Sequence, residues 1–120
     1  MHKWLPALLL PVLLTFCSGK QQPDEWISLF DGKTLNDWKV GANASAFKVE
    51  NGSIIVNGNV SHLYYDGEVQ QHQFKNFEFK AEVMTTTGSN SGIYFHTQYQ
   101  ESGWPQKGYE VQVNNSHSDW

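Results

Sequence analysis

Residues 77–83 read Phe77-Glu78-Phe79-Lys80-Ala81-Glu82-Val83, and apolar and charged side chains alternate along the whole segment. Successive side chains of a β-strand point to opposite faces, so a period of two predicts a strand with one apolar and one polar face. The same alternation recurs in Ser91–Thr97 and in Gly108–Asn114. No stretch after residue 25 has the 3.6-residue period of an amphipathic helix. The sequence therefore predicts a chain built from strands.

Turn signals separate these strands. Phe47–Glu50 alternates and meets Asn51-Gly52, and Ser53–Val56 follows directly. An Asn-Gly pair between two β-prone segments is the strongest short signal for a hairpin. The apolar run Trp26–Phe30 likewise ends at the turn signal Asp31-Gly32-Lys33. Short strands spaced by turns predict an all-β, antiparallel sandwich.

Composition narrows the class of ligand. The chain has 120 residues, enough for one small domain, and a net charge of −4. Charged residues make up 17%, well below the usual ~25%, and Asn, Gln, Ser and Thr fill the difference. All eight basic residues are Lys, and a nucleic-acid-binding face usually clusters Arg with Lys. We therefore expect a neutral polar ligand and no nucleic acid.

The N-terminal segment is predicted to be a targeting signal. Met1-His2-Lys3 precedes an apolar run, residues 4–16, which is shorter than the ~20 residues that span a bilayer. Leu14-Thr15-Phe16-Cys17 resembles a bacterial lipoprotein box, although Phe16 replaces the usual small residue. Residues 1–17 are expected to be a lipoprotein-type signal peptide with Cys17 acylated, and residues 18–25 a tether. Cleavage after Gly19 and a retained anchor are the alternatives. Both kinds of cleavage, at Cys17 or after Gly19, predict an exported protein. The lipoprotein box further predicts a periplasmic or cell-surface lipoprotein.

Three sequence blocks carry a resemblance to a known family. They are Leu29–Trp38, Asn90–His96, and Trp104-Pro105 together with Gly108–Gln112. In order and spacing they resemble the 3-keto-disaccharide hydrolase domain family from about Trp26 to the last residue. The resemblance implies a jelly-roll sandwich of the concanavalin A-like type, an exported bacterial protein and sugar substrates. Because the family's domain continues further, residues 26–120 are expected to form its N-terminal part, an incomplete sandwich.

The implied chemistry needs a general base. A ketone at C3 of a sugar acidifies the proton on C2 and places the glycosidic oxygen on C1 β to the carbonyl. Elimination followed by hydration then needs a base, a group that stabilises the enolate and an acid for the leaving oxygen. Glu110 is the candidate base, because it faces away from Tyr109 and Val111 on its strand, beside Gln112. The competing interpretation is an ordinary solvated face.

The other candidate site residues lie close to these blocks. His96 is the candidate acid or enolate donor, because its ordinary pKa is near neutral. Trp104 is a candidate platform for stacking on a sugar, and core packing is the alternative. Asn90 and Gln112 are candidates for binding sugar hydroxyls, although Asn90 also suits a turn. Lys107 is a candidate for neutralising the enolate, with a solvated surface lysine as the alternative.

No metal and no cofactor is predicted. The five residues His62, His72, His96, His117 and Asp119 match no ligand spacing, and a single cysteine forms neither an intrachain disulfide nor a zinc finger. The expected partner is a sugar or oxidised disaccharide, with no protein partner and with membrane contact only through a lipid anchor. The leading function is an exported hydrolase or lyase of 3-keto-glycosides. A non-catalytic carbohydrate-binding module and a structural or adhesion domain are the alternatives.

Overall fold

The computed structural model describes residues 25–116. Six strands run along this part of the chain: β1 Trp38–Val40, β2 Phe47–Glu50, β3 Ser53–Val56, β4 Leu63–Tyr65, β5 Asn90–Phe95 and β6 Tyr109–Asn114. Short 3-10 turns occur at Ala44–Ala46 and Val69–His72. The described residues contain no α-helix, and so no helical segment of theirs is suited to crossing a bilayer. The predicted signal peptide with Cys17, and residues 18–24 of the predicted tether, lie outside the described residues.

The strands form three antiparallel pairs: β1 with β4, β2 with β3, and β5 with β6. The expected all-β, antiparallel class is confirmed, and paired sheets of this kind are compatible with a β-sandwich. The jelly-roll arrangement itself stays a prediction from the resemblance.

The β2–β3 hairpin follows the prediction from its turn sequence. Glu50 pairs with Ser53 and Phe47 with Val56, so two residues form the turn. Asn51 and Gly52 have φ of 50° and 77°. A two-residue type I′ turn requires positive φ at both central positions, which Asn and Gly adopt at the lowest cost. The Asn-Gly signal therefore sets the register of this hairpin.

The β5–β6 hairpin has one polar and one apolar face. Tyr94 lies opposite Glu110, and Gly92 lies opposite Gln112, so these side-chain positions share the polar face. The opposite face carries apolar residues from both strands: Ile93, Phe95, Tyr109, Val111 and Val113. Tyr109 and Val111 remain 66% and 56% exposed, although Tyr109 stacks on Phe95. Alternation along both strands thus separates the polar face from the apolar one.

The prediction of a strand at residues 77–83 is wrong. The structure assigns it no strand, and no segment within residues 25–116 pairs with its backbone. Phe77, Phe79 and Val83 are exposed, and the Lys80 ammonium lies 3.6 Å from the centre of the Trp26 ring. Alternation specifies which side chains share a face, but a strand also needs a hydrogen-bonded neighbour. Here the described part of the chain supplies none.

Burial is slight in the described part of the chain. Ala46 is the one apolar side chain there that is fully buried, with 4% exposure, and Gly58 packs directly against it. Trp38 of β1 contacts Tyr65 of β4 edge to face, with ring centres 5.3 Å apart. Contacts between aromatic rings supplement the three strand pairings, and some of these rings belong to the site described next.

The turn predicted at Asp31-Gly32-Lys33 is confirmed. Asp31 Oδ1 accepts hydrogen bonds from the backbone N–H groups of Lys33 and Thr34, each at 2.7 Å. Its Oδ2 accepts a third from the Thr34 hydroxyl at 2.8 Å. The bonds from Thr34 and Lys33 favour the charged carboxylate and lower the pKa of Asp31. This short segment is therefore organised by one carboxylate.

Candidate functional site

Glu110 and Tyr94 form a hydrogen-bonded pair on the polar face of β5–β6. They are direct neighbours across the two strands, and the Tyr94 hydroxyl donates to Glu110 Oε2 at 2.7 Å. The second carboxylate oxygen, Oε1, accepts no hydrogen bond from residues 25–116. One oxygen of this exposed carboxylate is thus held in place, and the other has no hydrogen-bond donor among the described residues.

The environment keeps the Tyr94 phenol protonated. Burial, together with the hydrogen bond to the Glu110 carboxylate, raises the pKa of Tyr94 to about 12. The Tyr94 hydroxyl is therefore a neutral hydrogen-bond donor throughout the physiological pH range.

Two further rings complete the group. His62 lies edge-on to the Tyr94 ring, with centres 5.6 Å apart, and edge-on to the Trp104 ring at 5.4 Å. Burial lowers the pKa of His62, and the negative charge of Glu110 partly opposes that effect. His62 is therefore a neutral imidazole at pH 7. Glu110, Tyr94, His62 and Trp104 are called the Glu110 cluster below.

Backbone contacts bring His62 to this position. Its carbonyl oxygen accepts the Gly41 N–H at 2.9 Å, which extends the β1–β4 pairing by one residue. Gly41 is also close to the 100–108 loop, since a side chain there would meet the Glu101 carbonyl oxygen at 2.8 Å. The neighbouring Ala42 N–H donates to the same oxygen. The β1–β4 pair thus carries His62 and contacts the loop that bears Trp104.

The loop itself is organised by Gln100. Its side-chain amide donates to the carbonyl oxygen of Trp104 at 2.8 Å, and its side-chain carbonyl accepts the Gln106 N–H at 2.8 Å. Trp104 is 64% exposed, although its ring contacts that of His62. A fixed backbone with an exposed indole suits stacking on a sugar face.

Asn90 and Gln112 also lie on the polar face. The Gln112 side-chain amide donates to Asn90 Oδ1, and both residues are exposed. Asn90 is part of β5, and this location differs from the turn role that was its alternative. Lys107 lies exposed in the Trp104 loop, and its ammonium pairs with no group of the described residues.

His96 lies elsewhere. It follows the end of β5 with a φ of 55°, and that left-handed conformation interrupts the strand alternation. Its ring packs against Phe95 at 5.6 Å and Phe77 at 5.9 Å between centres. The structure therefore brings Glu110 together with His62 and Trp104, while His96 contacts aromatic residues outside the Glu110 cluster.

The described histidines do not converge on a metal site. No group of three or more His, Cys, Asp or Glu side chains among residues 25–116 is arranged to hold a metal ion. His72 Nδ1 lies 3.8 Å from Asp66 Oδ1, and His62 and His96 make the separate contacts given above. His117 and Asp119 lie outside the described residues.

Sequence reasoning missed two members of the cluster. Tyr94 stands inside one of the family-like blocks, and its alternation with Ile93 places it on the polar face once the register with Glu110 is known. His62 has no local signal, because it reaches the cluster through pairing of β1 with β4, more than twenty residues apart. Only its contact partners identify it.

Comparison with known proteins gives the family. A model of the "3-keto-alpha-glucoside-1,2-lyase-like domain" matches residues 25–120. A curated relative from Bacteroides thetaiotaomicron, named 3-keto-disaccharide hydrolase, is 38% identical over 82 residues, covering 62% of this chain and 28% of the relative. The chain thus matches little more than a quarter of that protein's length. No solved structure matches. On this family match, the chain belongs to the 3-keto-alpha-glucoside-1,2-lyase-like domain family.

Proposed function

We propose that the chain takes part in cleaving 3-keto-glycosides, by elimination across C1 and C2 followed by addition of water. The family description names a 1,2-lyase, and the relative's name is a hydrolase of 3-keto-disaccharides. Elimination followed by hydration is consistent with both names. The elimination step is a lyase reaction, and the net reaction of the two steps is hydrolysis. The substrate is expected to be an oxidised disaccharide.

The electron flow explains why the ketone is needed. The base removes the proton from C2, and the C–H electron pair forms an enolate with the C3 carbonyl. When C3=O is restored, a double bond forms between C1 and C2 and the C1–O bond breaks. The leaving oxygen keeps that electron pair and takes up a proton. Water then adds its hydroxyl to C1 and its proton to C2.

Glu110 is assigned the role of base. The observation that carries this assignment is that Tyr94 holds Oε2 while Oε1 accepts no hydrogen bond from residues 25–116. A general base must be fixed within hydrogen-bond reach of the proton that it removes, and it contributes ~10²–10⁴-fold to the rate. One oxygen held by a protein donor fixes the carboxylate, and the other is left for the C2 proton.

His62 is assigned to the enolate oxygen. A neutral imidazole donates one N–H, and such a donor stabilises a developing oxyanion without a proton transfer. The lowered pKa of His62 keeps the ring in that neutral form at pH 7. His96 remains the sequence-based candidate for the acid, and Lys107 the candidate for charge neutralisation.

The sugar is expected to bind across the polar face. Trp104 offers an exposed indole for stacking, and Asn90 and Gln112 offer side-chain amides for hydroxyl groups. The Asn90–Gln112 bond fixes both amides in one orientation, so a hydroxyl group meets a preformed donor and acceptor. The protein is proposed to act outside the cytoplasm, as a lipoprotein anchored through Cys17.

The test compares the full chain with a Glu110→Gln variant on a 3-keto-disaccharide and on its unoxidised parent. Sugar release is followed by chromatography, with Glu78→Gln, another exposed glutamate, as the matched control. We expect cleavage of the keto sugar only, lost in Glu110→Gln and retained in Glu78→Gln. Cleavage of both sugars contradicts the ketone-assisted route. Absence of cleavage with retained sugar binding indicates a carbohydrate-binding module instead.

A further inference from the structure

We propose that Gly92 is a positioning residue for Glu110: the missing side chain at this point of β5 leaves the space in which the carboxylate lies. The expected effect on activity rests on the proposed role of Glu110 as base. The claim about the position of the Glu110 side chain rests on geometry alone.

The space is defined by three contacts. A Cβ on Gly92 would lie 2.6 Å from Glu110 Cγ, 2.7 Å from its Cδ and closer still to its Oε1. Cβ atoms do not approach other heavy atoms below 3.0 Å, so the whole end of the Glu110 side chain would have to move. The carboxylate would thereby be displaced from the position in which Tyr94 donates to Oε2.

Backbone conformation does not explain this glycine. Gly92 lies inside β5 and is absent from the residues with positive φ, unlike Gly88 and Gly103, which have φ of 86° and 75° and open space where a Cβ would be. Glycine weakens the interior of a strand, and a glycine there commonly marks a bulge, a tight bend or the close approach of another group. The group that approaches Gly92 is the Glu110 carboxylate.

Two side chains of β6 reach across to β5 in the same diagonal direction. Gly92 pairs directly with Gln112, and Glu110 pairs with Tyr94. Glu110 nevertheless reaches diagonally to Gly92, and Gln112 reaches diagonally to Asn90. The Glu110 and Gln112 side chains thus lean the same way across β5, and a side chain at position 92 would block that of Glu110.

The test is a Gly92→Ala variant of the full chain, with Ser91→Ala on the opposite face of β5 as control. The direct readout is the alkaline titration of Tyr94, isolated by subtracting the titration of Tyr94→Phe. If the carboxylate moves away, the Tyr94 pKa falls from about 12 as far as it does in Glu110→Gln. An unchanged Tyr94 titration in Gly92→Ala overturns the proposal.

Activity gives the second readout. We expect kcat on a 3-keto-disaccharide to fall at least ~10-fold in Gly92→Ala with little change in KM, because the sugar-binding side chains stay in place. The Tyr94 titration decides the positioning of the carboxylate, whatever the activity. If the Glu110→Gln variant cleaves as fast as the unmodified chain, Glu110 is not the base. The conclusion drawn from the Tyr94 titration is unaffected by that outcome.

A double-mutant cycle covers the case in which Gly92→Ala does not fold. In a Glu110→Ala background the clashing atoms are gone, so adding Gly92→Ala should leave the thermal unfolding midpoint unchanged or higher. A midpoint that falls in that background as much as in the parent overturns the proposal, because the glycine would then be required for another reason.

Discussion

Replacing Tyr94 by Phe removes one hydroxyl and little else. The ring and its edge-on contact with His62 are kept, while the 2.7 Å hydrogen bond to Glu110 Oε2 is lost. We therefore expect the fold to be retained and the carboxylate to become free to rotate. The deficit should appear in kcat, because the orientation of the base matters most in the transition state.

The size of the effect follows from the type of bond. Hydrogen bonds to charged groups contribute ~1.5–3 kcal/mol, and exposure of Glu110 to water favours the lower end of that range. Since 1.4 kcal/mol corresponds to a factor of ten, kcat/KM should fall about 10-fold. That loss is smaller than the ~10²–10⁴-fold expected when the base itself is removed in Glu110→Gln.

Initial rates on a 3-keto-disaccharide, with thermal unfolding of each variant, provide the assay. Tyr109→Phe is the matched control, because it removes a hydroxyl from the opposite face of the same hairpin. A Tyr94→Phe variant within about twofold of the unmodified chain would refute the positioning argument. A loss as large as that of Glu110→Gln would also refute it, because the phenol would then act on substrate itself.

Three further predictions concern the same cluster. In Glu110→Gln the pKa of Tyr94, about 12, should fall but stay above 10.0, because burial remains; alkaline difference absorbance measures it, and an unchanged value contradicts the assignment. Burial lowers the pKa of His62 below 6.5, so this residue's contribution to stability is complete above pH 6.5 and is lost as the pH falls below it. The thermal unfolding midpoint should therefore fall less between about pH 7 and about pH 5 in His62→Gln than in the unmodified chain. The same fall in both proteins contradicts the prediction. Trp104→Ala should raise KM about 10-fold or more with a smaller effect on kcat, since burying a large apolar side chain contributes ~1.5–3 kcal/mol, and an unchanged KM counts against stacking.

Local sequence signals predicted one of the three strand pairs and both strands of a second pair. Asn51-Gly52 specifies its hairpin because few residues accept the positive φ of a tight turn. Alternation predicted β5 and β6, and it placed Glu110 and Gln112 on one face. These features depend on neighbours in sequence, and a single chain is enough to recognise them.

The remaining features depend on pairing between distant segments. β1 and β4 are three residues each, too short for a period to be recognised, and they pair across more than twenty residues. His62 enters the Glu110 cluster through that pair, so from sequence it was considered only as a metal ligand, and its spacing matched no ligand motif. Residues 77–83 show the converse error, because their pattern is strong but lacks a hydrogen-bonded neighbour in the described chain.

The central claim is that cleavage begins with removal of the C2 proton by Glu110. The most direct measurement is cleavage of a 3-keto-disaccharide in D₂O, with early detection of deuterium at C2 of the released keto sugar. Incubation of that keto sugar with Glu110→Gln measures exchange that does not depend on the base. We predict deuterium at C2 above this background from the first turnovers. Release of a keto sugar that keeps its original proton at C2 would contradict the mechanism.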